Sequence, residues 1–159
     1  MKLLFLCALV FSFCAGIVAQ RTRSKTQSTE RARVTGIGGI FFKAQNPKEL
    51  TRWYATNLGL NPPEGAPAGV PAIFEWRDKD NPATIGATVW AAFPKTTKYF
   101  DPTRAEFMVN YRVNNLDAML RQLREAGVKV DEKTSGDDNG RFGWATDPEG
   151  NRFELWEPK

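Results

Sequence analysis

The sequence predicts an α+β fold of two βαβββ modules in one chain, and three observations predict it. The chain ends in a strand–turn–strand signature, Arg141–Lys159. Two helix-start motifs recur at an offset of 69 residues, Asn46 against Asn115. The elements read along each half also follow the same order, a strand, a capped helix and further strands.

The closing hairpin is the best defined. In Asp147-Pro148-Glu149-Gly150 Asp suits the first turn position, Pro fixes φ at the second, and Gly accepts the left-handed exit. The turn joins the apolar runs Phe142–Ala145 and Phe153–Trp156, and Pro158 ends the second strand. Alternation puts Phe153 and Leu155 on one face and Arg152, Glu154 and Trp156 on the other. A carboxylate in the middle of an otherwise apolar closing strand calls for a partner or a function.

The first 33 residues read differently. Lys2 precedes the apolar run Leu3–Val18, and small residues stand before Gln20, so residues 1–19 predict a secretory signal peptide, with a retained anchor as the alternative. Both cysteines, Cys7 and Cys14, fall in this segment; its removal leaves a chain without a disulfide. Residues 20–33 are polar and predict a disordered linker. Residues 21–33 hold five basic side chains and one acidic, and residues 34–159 sixteen and seventeen. The net charge of +4 therefore comes from the tail, a solvated spacer or a segment touching a membrane surface or polyanion. No basic–aromatic face points to nucleic acid, and after cleavage no membrane segment is left.

Residues 34–159 form the domain, with module one at about 34–98 and module two at about 104–159. Val34–Ala44 is rich in β-formers; its glycines fit neither GxGxxG nor a Walker loop and suit a strand that bends or leaves room for a ligand. Asn46-Pro47-Lys48-Glu49 starts a helix as cap, first-turn Pro and capping-box Glu. Leu50, Trp53, Tyr54 and Leu58 share its expected core face, and Gly59 stops it. Asn61–Val70 is a loop, and Ala72–Arg77 and Thr84–Phe93 are strands around a DKDNP turn. Pro94–Thr103 crosses to the second half, where Glu106–Val113 is a strand. Asn115 caps a helix bearing Leu116, Met119, Leu120 and Leu123, which Gly127 closes. Val128–Val130 and the hairpin complete the set.

The hairpin, ending in NRFELWEP, closely resembles the C-terminal hairpin of the vicinal oxygen chelate superfamily, which holds glyoxalase I, extradiol dioxygenases, fosfomycin-resistance enzymes and bleomycin-binding proteins. The resemblance runs from Val34 to Lys159. It implies a curved, partly open, barrel-like sheet around a shared concave site with helices behind. It also implies pairing as homodimers, which exposed sheet edges would suit. In metal-dependent members, four side chains, usually His, Glu or Gln, come from the first and last strand of each module. Here the matching first-strand positions are Gly39 and Met108, and residues 82–100 contain no Asp, Glu, His or Gln. Glu154 alone stands where a ligand is expected, and the chain has no histidine. A thioether suits hard divalent ions poorly, and catalytic metal sites need three or four protein ligands. The expectation is no cofactor and no metal; the exception would be a carboxylate-only site recruiting Glu106.

A concave surface of mixed chemistry remains. Alternation assigns it Phe41, Lys43, Met108, Asn110, Arg112, Glu154 and Trp156, with Thr88 or Trp90 from the strand Thr84–Phe93 that closes module one. Apolar walls with a few polar groups suit a small organic ligand, stacked on Trp or Phe and steered through a carboxylate or polarised oxygen by Arg. The first reading is an exported binder without metal. The alternative is a metal-free isomerase or lyase with Glu154 as general base, its pKa raised by apolar neighbours. A metal-dependent glyoxalase, dioxygenase or fosfomycin-type enzyme ranks below both. The bland reading pairs Glu154 with Arg112 or Lys43 inside a ligandless cavity.

Overall fold

Backbone hydrogen bonding turns these segments into one sheet and two helices. In the computed structural model, which describes residues 31–64 and 72–159, β1 is Val34–Ala44, α1 Pro47–Leu58, β2 Ala72–Arg77 and β3 Ile85–Pro94. The second half follows with β4 Phe107–Val113, α2 Leu116–Glu125, β5 Lys129–Val130, β6 Ser135–Asp137, β7 Gly140–Thr146 and β8 Arg152–Pro158. The signal peptide at 1–19, most of the linker and part of the 61–70 loop lie outside the described residues. No helix among the described residues is long and apolar enough to cross a membrane.

The eight strands form a curved, unclosed sheet in the order β2-β3-β1-β4-β8-β7-β5, with β6 also paired to β7. The first strands of the two modules meet antiparallel at its centre, where Ile40 lies opposite Val109. Those two residues are also partners under the 69-residue repeat, so a pseudo-twofold axis passes through that pair. Within each module the first strand runs parallel to the last, β1 beside β3 and β4 beside β8. β6 escapes the sequence reading because Ser-Gly-Asp carries no β signal; three backbone pairs to β7 define it.

Both helices begin as their caps predict. The Asn46 side chain accepts from the Glu49 amide at 3.2 Å, and that of Asn115 from the Ala118 amide at 2.8 Å. Gly59 takes the left-handed φ of 67° that ends α1 without a Cβ clash. α2 buries Leu116, Met119 and Leu120 against β8 and β7. α1 departs from expectation: Trp53 and Leu58 are 55% and 58% exposed, and Thr51 is its buried residue. Its inner face centres between Tyr54 and Thr51, so Tyr54 packs on Trp90 with ring centroids 4.5 Å apart and Trp53 falls at the rim.

The hairpin has the three-residue form in which a turn is followed by a left-handed glycine. Gly150, at φ 86°, donates to the Asp147 carbonyl, and Asp147 donates its amide to Asn151. This sets the register of the site, placing Trp144 opposite Glu154 and Phe142 opposite Trp156.

Candidate functional site

The face of the sheet away from the helices divides into a filled half and an open half. In the filled half Phe41, Ala91, Phe100, Met108 and Trp144 make a buried apolar cluster, with Val89, Phe93 and Phe142 against it. Phe100 comes from the crossover between the modules and is fully buried. Dispersion and apolar burial hold this plug in place.

Glu154 sits inside the plug, 1% exposed. Asn110 Nδ2 donates to its Oε1 at 2.5 Å, and Trp144 Nε1 donates to Oε2 at 2.8 Å. The Tyr99 hydroxyl also donates to Oε2. Burial raises the Glu154 carboxyl above the ordinary carboxylate range, against the three donors and Arg152, which pull it down. The Tyr99 phenol is pushed well up, by its own burial first and by the neighbouring carboxylate second.

The expected partners of Glu154 are elsewhere. Arg112 lies two pairs further along, opposite Trp156, and donates from Nε to Thr35 Oγ1 at 2.9 Å and from Nη2 to the Thr35 carbonyl at 2.8 Å. Its guanidinium lies over the Trp76 ring, 3.7 Å from the centroid. Lys43 lies over Phe100 at 5.3 Å. Thr35 and Trp76 hold Arg112 and the Phe100 ring lies under Lys43, so neither cation reaches the carboxylate, and the side chains that hydrogen-bond Glu154 are neutral donors.

Phe41, Met108, Asn110, Glu154 and Trp156 do share the concave face, as the ladder Phe41–Met108, Asn110–Glu154 and Arg112–Trp156 requires. Trp90 does not: Val89, Ala91 and Phe93 face the plug, while Trp90 turns to the helix side between Tyr54 and Phe42. Thr88 hydrogen-bonds the Ile37 carbonyl at 2.7 Å. Sequence reasoning missed Tyr99, Trp144 and Trp76. The hairpin register would have yielded Trp144; nothing in the crossover marks Tyr99.

The open half is a cleft of about 540 Å³ with Thr35, Trp76, Asp78, Arg112, Asn139 and Trp156 among its lining residues. Trp156 stacks on Phe142 at 6.5 Å and donates to the Asn139 carbonyl at 2.9 Å. Arg112 Nη1 and Asn110 Oδ1 have no hydrogen-bond partner among the described residues. Close-lying glycines make room for both side chains: a Cβ on Gly38 would fall 2.1 Å from Asn110 Oδ1, and one on Gly36 would fall 2.9 Å from Arg112 Nη2.

The superfamily's metal can be tested against these residues. Phe41 and Asn110 are repeat equivalents; Phe41 pairs with Ala91 and Asn110 with Glu154. The position equivalent to Glu154 is therefore Ala91, and the set is Gly39, Ala91, Met108 and Glu154. Three of the four offer no hard donor, and both oxygens of the fourth already accept hydrogen bonds. Glu106 pairs with Lys95 at the surface. No three of His, Cys, Asp and Glu come together to hold a metal among the described residues. The residues do not fit the ion.

Comparison with known proteins bears on the fold. Methylmalonyl-CoA epimerase from Mycobacterium tuberculosis is 23% identical, with a TM-score of 0.50 over 79% of this chain and 89% of its own. A variant of the Streptomyces coelicolor epimerase, in complex with 2-nitronate-propionyl-CoA, is 19% identical with a TM-score of 0.57 over 79% and 99%. A Legionella pneumophila protein described as an NAD-dependent benzaldehyde dehydrogenase is 18% identical with a TM-score of 0.51 over 76% and 98%. No curated protein matches the chain. The glyoxalase-like domain model matches residues 39–156, and the chain belongs to that family, within the vicinal oxygen chelate superfamily.

Proposed function

We propose that this chain is an exported protein that binds a small organic molecule, without a metal, in the open half of its concave sheet. The observation that carries the reading is Arg112. Its guanidinium is oriented by Thr35 and Trp76 and lines the cleft beside Trp156; its Nη1 is buried and has no partner among the described residues. A pre-oriented cation in a cleft that Trp76 and Trp156 also line suits an oxygen acceptor on a flat or apolar molecule. A thermal-shift screen of small carboxylates and carbonyl compounds, with and without divalent ions, tests it. Hits should lose affinity about 10-fold or more in Arg112→Ala; hits that survive that change, or that require a metal, would place the ligand elsewhere.

A second reading keeps Glu154 as general base for metal-free isomerase or lyase chemistry. Its support is the Tyr99 hydroxyl, a second proton-carrying group on the same carboxylate. Turnover should then fall about 100-fold in Glu154→Gln, with ligand affinity nearly unchanged. Export and pairing complete the proposal. Intact-mass measurement of the native protein should find an N-terminus near Gln20, and Met1 still attached would defeat cleavage. The edge strand β2, with Ile73 and Phe74 exposed, supports a homodimer, and light scattering at the mass of a single chain would remove that part.

A further inference from the structure

Tyr99 is bound to the sheet as a ligand would be. Its ring stacks on Phe93 with centroids 5.4 Å apart and planes 6° from parallel, and meets the edge of Trp144 at 6.0 Å and 88°. Its hydroxyl reaches Glu154, whose two oxygens Asn110 and Trp144 hold in place. The residue belongs to neither strand nor helix, and 37% of it is exposed, whereas the carboxylate beneath is 1% exposed. Arg152 grips the Tyr99 carbonyl at 2.6 Å. The backbone is therefore anchored independently of the ring, and a rotation about χ1 would move the phenol without moving the crossover.

We propose that the pocket formed by Glu154, Trp144, Phe93 and Asn110 is a binding site for an aromatic ring carrying a neutral hydroxyl, and that Tyr99 is its internal occupant. The chemistry is specific. The stacked face and the T-shaped edge select a flat ring. The buried carboxylate accepts a hydrogen bond and repels an anion, so a phenol fits where a benzoate does not. A ring without a donor leaves that acceptor short of a partner in a dry site, the arrangement that discriminates most strongly between near-isosteric ligands. An external phenol enters when the Tyr99 ring swings out, which makes occupancy of this half competitive with the protein's own side chain. This site is separate from the Arg112 cleft and stands or falls independently of it.

The test uses phenol and toluene as probes and two variants of the full chain. Tyr99→Ala vacates the site, and Tyr99→Phe keeps the ring but drops the donor, so it folds even where the alanine variant does not. Calorimetry should find phenol binding at least about tenfold tighter to either variant than to wild type, with toluene at least about tenfold weaker than phenol. Adding Glu154→Leu to either variant should abolish the preference for phenol over toluene. Phenol affinity in Tyr99→Phe no better than in wild type, or toluene binding as well as phenol, would overturn the proposal.

Discussion

Asn110 Nδ2 donates to Glu154 Oε1 over 2.5 Å, while the other end of the same amide, Oδ1, has no partner among the described residues. The pair can therefore serve either charge state of the carboxyl. Ionised, Glu154 accepts from Asn110, Trp144 and Tyr99. Protonated, it can donate to Oδ1 once the amide turns over.

That relationship sets the outcome of Glu154→Gln. A glutamine can accept from Trp144 and Tyr99 and donate to Asn110 Oδ1, so its stability should lie within about 1 kcal/mol of wild type. Glu154→Ala leaves three donors short of their acceptor and should cost about 3 kcal/mol or more. Because the Glu154 carboxyl is raised above its ordinary value of 4.5, the folded state holds its proton more tightly than the unfolded chain does. The stability this contributes is complete below about 4.5 and is lost as pH climbs through the raised folded value. Urea denaturation at pH 4 and pH 7 should show the difference moving in favour of the glutamine variant as pH rises. A difference independent of pH would contradict the assignment.

The glycine-rich start of β1 makes a second prediction. Gly38→Ala would bring a Cβ within 2.1 Å of Asn110 Oδ1 and 2.6 Å of Trp156 Cε3. Both side chains must move, so the substitution should destabilise by about 1–3 kcal/mol and alter the cleft. At Gly59, where φ is 67° and nothing lies within 4 Å, alanine should cost only about 1 kcal/mol, from backbone strain alone. Equal effects at the two sites would remove the packing account.

Arg112 and Trp76 should be energetically coupled. A double-mutant cycle with Arg112→Leu and Trp76→Leu is expected to give an interaction of about 1 kcal/mol, the scale of a partly buried cation–π pair. Additive effects would mean that the contact orients the guanidinium without stabilising the fold.

The donor set at Gly39, Ala91, Met108 and Glu154 predicts the response to metals. Elemental analysis of protein purified without chelator should find well under one zinc, nickel, manganese or iron per chain. Near-stoichiometric metal, lost on Glu154→Ala, would restore a metalloenzyme.

Much of the architecture is legible in the sequence because it is written in local chemistry. Asn46 and Asn115 cap helices by their own side chains, Asp147–Gly150 specifies its turn, and the 69-residue offset anticipates the pairing of Ile40 with Val109. The poverty of metal donors is equally a matter of residue identity. The faces of the strands and the contents of the site were decided in three dimensions. Alternation leaves the parity of β3 open until its register with β1 is known, and that register sent Trp90 to the helices and Ala91 to the site. The crossover has no period to read, so only folding brings Tyr99 and Phe100 into the concavity and seals Glu154. Arg112 likewise had several partners within reach of its long side chain. The sheet order decided it: β1 runs beside β4 and brings Thr35 next to Arg112, and the side chain reaches across the concave face to Trp76 of β2.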